Sequence, residues 1–123
     1  MFGNTKAFSG FAVDDIQAAQ KFYGETLGLN TSEQYGILTL HLAGDRDTLV
    51  YPKAGHVPAT YTILNFRVDD IDAAVDELVS SGVQLERYEG IGQDAKGINR
   101  AGGPYIAWFK DPAGNILAVL QDR

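Results

Sequence analysis

The sequence predicts an α+β fold in which a strand–helix–three-strand unit, βαβββ, occurs twice in tandem. The first observation is a repeated heptapeptide: Val13–Ala19 returns as Val68–Ala74 with one substitution, Asp72 for Gln17. The second is that each copy follows a segment whose apolar residues alternate, which is typical of a half-buried strand. The third is that apolar residues then recur at helical spacing. We therefore expect a module at 7-52, a module at 60-122 and a linker at 53-59.

The heptapeptide predicts a corner between a strand and a helix. Asp14 and Asp69 are the predicted N-caps, because a carboxylate there accepts hydrogen bonds from the first free helical amides. Gln17 and Asp72 follow three residues later, as in a capping box. The preceding strands place alternate residues on one face: Ser9, Phe11 and Val13 in the first copy, Leu64, Phe66 and Val68 in the second. We expect Gly28 and Gly82 to end the two helices, since glycine adopts the left-handed conformation freely.

The remaining segments complete each half with three strands. The predicted ranges are 29–35, 37–42 and 48–51 in the first half, and 83–88, 105–109 and 116–120 in the second. Pro112 and Gly114 predict a tight turn over Asp111–Asn115. Residues 89–104 form a long glycine-rich loop, for which we expect a mobile lid hinged at Gly97, Gly102 and Gly103, or alternatively a dimer contact.

Composition narrows the possible functions. The chain of 123 residues carries a net charge of −6 and has a pI near 4.7. This acidity argues against nonspecific nucleic-acid binding, which needs a basic face. There is no cysteine, so disulfides and thiolate metal sites are excluded. With neither a signal peptide nor an apolar run of bilayer length, we expect a soluble cytoplasmic protein without membrane partners.

The whole chain resembles the vicinal oxygen chelate superfamily, the group of glyoxalases, bleomycin-resistance proteins and extradiol dioxygenases. The segments that carry the resemblance are Val13–Ile16, Phe22–Tyr23, Leu27–Gly28, the repeat at Val68–Ala74 and, above all, Phe109–Ile116. The resemblance implies two modules whose sheets curl around a cavity, and a homodimer. It also implies a divalent metal in many members, held by His, Gln or Glu in the first and last strands of each module.

The places that match those metal ligands carry apolar residues in this chain. They are Phe8, Ile63, Ala118 and a position near Val50. None of these side chains binds a metal, so we expect no metal and no cofactor.

The resemblance directs attention to four side chains as candidate ligand-binding residues. If Ile63 faces the cavity, strand alternation turns Asn65 and Arg67 inward as well. Arg67 offers a planar fork for a carboxylate or phosphate, or alternatively pairs with an acidic residue at the sheet rim. Trp108 is suited to stacking on a planar ligand. His41 is a weak candidate for a general base, because it lies in mid-strand with no visible partner.

Three hypotheses of function follow. The first is a metal-independent small-molecule-binding protein of the sequestration or resistance type. The second is a glyoxalase-like lyase or isomerase that acts on a small anionic substrate, with a displaced metal site or none, using His41 and Arg67. The third is a protein-binding accessory module, suggested by the glycine-rich segment. His56, in the linker, is interpreted as a solvated loop residue.

Overall fold

The computed structural model describes all residues 1–123, which divide into two compact units, Met1–Val57 and Pro58–Arg123. Together the units contain two sheets and two helices, which confirms the predicted α+β class. The exact module and linker bounds stay a prediction.

The first unit follows the predicted order of strand, helix and three strands. Its elements are β1 (Ser9–Val13), α1 (Ile16–Gln20) continuing into a π-helical turn (Lys21–Thr26), β2 (Asn30–Gln34), β3 (Ile37–Leu42) and β4 (Arg46–Pro52). The sheet order is β1-β4-β3-β2, with β1 parallel to β4 and the other pairs antiparallel. Strand β2 therefore lies at an edge.

One face of the first sheet packs against the helix. The buried residues of that face and helix are Val13, Leu38, Leu40, Val50, Ala19 and Tyr23. The Tyr23 ring lies 5.8 Å from the ring of Phe11, which joins the helix to β1. Burial of each large apolar side chain contributes roughly 1.5–3 kcal/mol, so this face holds the unit together. The opposite face carries His41.

The second unit contains β5 (Thr62–Arg67), α2 (Ile71–Ser80), β6 (Tyr105–Lys110) and β7 (Ile116–Gln121). Its sheet has the order β5-β7-β6, with β5 parallel to β7. Helix α2 covers one face, where the Gln121 side-chain oxygen accepts a 2.9 Å hydrogen bond from the Ile71 amide. The buried apolar residues of this layer are Ile71, Val75, Leu78, Ala107, Phe109, Leu117 and Val119.

The helix caps lie one residue later than predicted. Asp15, not Asp14, accepts hydrogen bonds from Gln17 N and Ala18 N, at 3.0 and 3.2 Å. In the second unit Asp70 caps α2, where its carboxylate accepts a 3.2 Å hydrogen bond from Ala73 N. The predicted capping box is consequently wrong: with the cap at Asp70, Asp72 stands one position too early to reach back to it.

The predicted strand at 83–88 is reduced to a single bridge, Leu85 with Phe109. The reason is that the Gln93 side chain forms hydrogen bonds with the backbone groups of Glu86 and Tyr88 that would otherwise pair with a neighbouring strand. The Gln93 amide accepts from Tyr88 N at 2.8 Å and donates to Glu86 O at 2.9 Å. The second unit therefore has strand, helix and two strands.

One predicted turn and both predicted helix ends are confirmed. Gly28 and Gly82 have φ of +73° and +88°. In the Asp111–Asn115 turn, the Asp111 carboxylate accepts from the amides of Ala113 and Asn115, both at 2.9 Å. Gly114 supplies the positive φ of +86° that closes this turn.

Candidate functional site

Three positions form one cross-strand row on the second sheet, on the face opposite α2. Asn65 pairs in register with Ala118, and Ala118 pairs with Trp108. Residues directly opposite one another in a sheet share a face, so Asn65 and Trp108 flank Ala118. We call this surface the Trp108 face. Asn65 is exposed, Trp108 is half-buried and Ala118 is fully buried.

Arg67 lies on the same face, one row farther along β5. Its Nε is 2.9 Å from the Asp122 carboxylate, and both side chains are largely exposed. Of the two possibilities predicted for Arg67, the structure has the ion pair with an acidic residue at the sheet rim. An anionic ligand at Arg67 would have to compete with Asp122. The ligand-binding role of Arg67 stays a prediction.

Tyr88 is a candidate site residue that sequence reasoning missed. Its ring meets the Trp108 ring nearly at a right angle, with 5.5 Å between centroids. The Tyr88 hydroxyl oxygen is buried and has no hydrogen-bond partner. Burial raises the pKa of Tyr88, and the nearby Glu86 carboxylate adds to the rise, so the hydroxyl stays protonated at neutral pH. Tyr88 lies opposite β6 because of the Leu85–Phe109 bridge, and no local sequence pattern predicts that bridge.

His41 has two partners in the first unit, which corrects the view that it stands alone. Its Nδ1 lies 2.9 Å from Oδ1 of Asp47, and its Nε2 lies 2.8 Å from Oγ of Ser32. His41 is placed between them because β3 runs between β2 and β4. We call the exposed side of the first sheet the His41 face.

His56 lies in a loop, as predicted, but it is not fully solvated. The residue is half-buried, and its Nε2 is buried with no hydrogen-bond partner.

The segment 89–104 is tied to α2 by charged side chains. Arg100 binds the Asp72 carboxylate through Nη2 and the Asp94 carboxylate through Nε, while Lys96 pairs with Asp72 and Asp76. The hydrogen bond from Arg100 lowers the pKa of Asp72. Burial works to raise the pKa of Asp94, but hydrogen bonds from Ile98 N and Arg100 outweigh it and lower that pKa. Lid motion of this segment stays a prediction.

A separate cleft of about 710 Å³ lies on the α2 side of the second unit. Val75 and Val79 line it from the helix, and Val83, Leu85 and Lys96 line it from the following segment. None of the predicted site residues borders this cleft.

The positions that match the metal ligands of the family that this chain resembles carry no side chains able to bind a metal ion. Phe8 is exposed and Ile63 lies at an irregularity of β5, while Ala118 presents only a methyl group. Val50 lies on the helix-covered face, so its neighbours Leu49 and Tyr51 occupy the other face instead. No group of three or more His, Cys, Asp or Glu residues is close enough to hold a metal ion. The residues present do not fit such a centre.

A family model described as the glyoxalase/bleomycin resistance protein/dioxygenase superfamily matches residues 7–119. The chain belongs to this superfamily. No curated protein matches the chain. Members share the two-sheet α+β architecture described above, and no helix of this member is long and apolar enough to cross a membrane.

Solved structures of the superfamily share the fold over nearly the whole chain. A glyoxalase family protein from Bacillus anthracis is 19% identical, covers 100% of both chains and has a TM-score of 0.73. TnmS3, an antibiotic binding protein from Streptomyces sp. CB03234, is 23% identical with 98% of both chains covered and a TM-score of 0.71. The fosfomycin resistance protein FosX from Mesorhizobium loti is 11% identical, covers 98% of this chain and 93% of its own, and has a TM-score of 0.68.

Proposed function

We propose that this superfamily member binds a small organic molecule without a metal ion, on the Trp108 face, as a sequestration or resistance-type protein. The observation that carries the proposal is the Tyr88 hydroxyl, which is buried beside Trp108 without a hydrogen-bond partner. A buried hydroxyl with no partner costs about 1–3 kcal/mol. A ligand acceptor that reaches this hydroxyl recovers that cost on binding.

The neighbouring side chains supply the other elements of a ligand site. Trp108 offers a large aromatic surface, and Asn65 offers both a donor and an acceptor two strands away. Ala118 between them has no side chain beyond a methyl group, so a flat molecule can span the row. Small-molecule sites are typically apolar surfaces with a few placed polar groups, and this row has that composition.

Metal-free binding is supported by the chemistry of the residues. A divalent ion that polarises a substrate needs imidazole or carboxylate ligands, and Phe8, Ile63 and Ala118 provide neither. TnmS3, which shares the fold, is an antibiotic binding protein by name, so this fold accommodates small-molecule binding.

We also infer that the protein is a cytoplasmic homodimer. Several large apolar side chains are more than a third exposed in the single chain, among them Phe8, Val57 and Tyr61. Exposed apolar surface of this kind is typical of protein interfaces. Sedimentation equilibrium checks this inference, since a mass of one chain at micromolar concentration contradicts it.

A thermal-shift screen with a chelator present tests the binding function. We expect planar organic compounds to raise the melting temperature of the wild type, and Trp108→Ala to abolish that rise. Val79→Ala is the matched control, because it alters the cleft beside α2 and leaves the Trp108 face intact. Compounds that lose their effect in Val79→Ala but keep it in Trp108→Ala contradict the proposal, as does a screen without any stabilising compound.

A further inference from the structure

Ser32, His41 and Asp47 form a continuous hydrogen-bonded chain on the His41 face. The Ser32 Oγ lies 2.8 Å from His41 Nε2, and His41 Nδ1 lies 2.9 Å from Asp47 Oδ1. Each side chain comes from a different strand, β2, β3 and β4 respectively. All three side chains are exposed, so a substrate can reach this hydrogen-bonded series.

The register of the sheet explains why these residues meet. His41 lies directly opposite Asp47, and Ser32 lies opposite Thr39, two residues before His41. Diagonal neighbours on one face of a sheet are about 7–8 Å apart between backbones, which side chains of this length bridge. The arrangement is therefore fixed by strand pairing.

The partners determine the proton positions in the neutral imidazole. The Asp47 carboxylate only accepts hydrogen bonds, so Nδ1 carries the proton and donates it. Nε2 is then an acceptor, and the Ser32 hydroxyl donates to it. This is the arrangement in which a serine hydroxyl can pass its proton to a histidine base as it attacks.

We infer that Ser32 is a nucleophile that attacks small carboxylic esters, a reaction that does not depend on ligand binding at the Trp108 face. As Oγ bonds to the ester carbonyl carbon, its proton moves to His41 Nε2. The carbonyl then re-forms, the C–O bond to the alcohol breaks, and the alcohol leaves with that proton. Water then gives a proton to His41 Nε2 and bonds to the acyl carbon, the acyl–Oγ bond breaks, and the proton passes from His41 to Oγ, which releases the acid and restores Ser32.

The surroundings favour an uncharged ester with an apolar part. Leu49 is half-buried, and Ile37 and Tyr51 are 38% and 43% exposed on the same face. Asp47 is the carboxylate closest to the base, and it disfavours an anionic substrate. Strand β2 is an edge strand, so Ser32 lies at the open border of the sheet.

Labelling with a fluorophosphonate, followed by peptide mass spectrometry, tests the nucleophile. We expect modification at Ser32, and loss of at least roughly tenfold in labelling rate in His41→Ala, since a positioned base typically contributes 10²–10⁴-fold. Hydrolysis of p-nitrophenyl acetate should fall by a similar factor in Ser32→Ala. Ser9→Ala, an exposed strand serine outside the chain of hydrogen bonds, should keep wild-type rates.

Asp47 acts as a positioning residue, and its test measures the tautomer of the His41 imidazole. The protein has only two histidines, so two-bond ¹H–¹⁵N spectra resolve His41. We expect the Nδ1–H form in the wild type and a shift toward the other tautomer in Asp47→Asn, with slower labelling and an unchanged melting curve. Absence of labelling at Ser32, equal labelling of Ser9, or labelling that survives His41→Ala overturns the inference.

Discussion

Arg100 places its Nη2 2.8 and 2.9 Å from the two carboxylate oxygens of Asp72. The same guanidinium lies 5.1 Å from the centroid of the Tyr105 ring. Arg100 therefore fastens the segment 89–104 both to α2 and to β6. One arginine thus substitutes for the strand pairing that this part of the second unit lacks.

Removing this arginine should loosen the segment before it unfolds the unit. In Arg100→Ala we expect faster amide hydrogen exchange within residues 89–104, with little change in β5 and β7. Arg100→Lys should give an intermediate rate, since lysine keeps the charge and loses the two-point geometry. Unchanged exchange in Arg100→Ala would show that the ion pairs do not hold the segment.

Stability should fall in acid because of the Asp72 and Asp94 carboxylates with which Arg100 pairs. The pKa values of Asp72 and Asp94 are lowered on folding, so their contribution is present in full above the ordinary value of 3.8. It is lost as the pH falls through the lower folded-state values. Urea unfolding between about pH 5 and pH 2 checks this, since carboxylates titrate there. Asp72→Asn should flatten the pH dependence, and an identical slope in wild type and variant would contradict the assignment.

The Asp111 turn is expected to be sensitive to substitution. Its buried carboxylate satisfies the amides of Ala113 and Asn115 and the Asn115 side chain. Asp111→Ala removes the acceptor that these three donors share, so we expect a loss of about 3 kcal/mol in unfolding free energy. The control Asp122→Ala removes a surface carboxylate and should cost less than about 1 kcal/mol. Equal losses in the two variants would contradict this reading.

Sequence periodicity predicted the elements whose partners are local or whose burial is regular. The glycine stops at Gly28 and Gly82 and the Asp111 turn are examples, because each depends on a few adjacent residues. The pattern failed at 83–88, where the Gln93 side chain captures backbone groups five and seven residues away. No alternation of apolar residues encodes such a capture.

The candidate site likewise has features that the sequence predicted and features that it did not. The alternation rule placed Asn65 and Arg67 on one face correctly, because it depends only on the strand. Tyr88 beside Trp108, and Ser32 and Asp47 beside His41, depend on register between strands. A single sequence does not fix that register.

Tyr88→Phe should change stability and binding in opposite directions. Removing an unpaired buried hydroxyl is expected to raise the unfolding free energy by about 1–3 kcal/mol. The same change should weaken a ligand that bonds to the hydroxyl by roughly 3- to 10-fold, the value of one neutral hydrogen bond. Denaturation and calorimetric titration measure the two effects. A variant with lower stability and unchanged affinity would remove Tyr88 from the site.

Fluorescence of Trp108 gives the most direct test of metal-free binding, since it is the only tryptophan in the chain. A compound selected by thermal shift is titrated against protein treated with EDTA, and again against protein supplied with zinc, nickel or manganese. The proposed site predicts a saturable change in Trp108 emission with the same Kd in every titration. A change that occurs only when metal is supplied, or binding that leaves Trp108 emission unaltered, would contradict it.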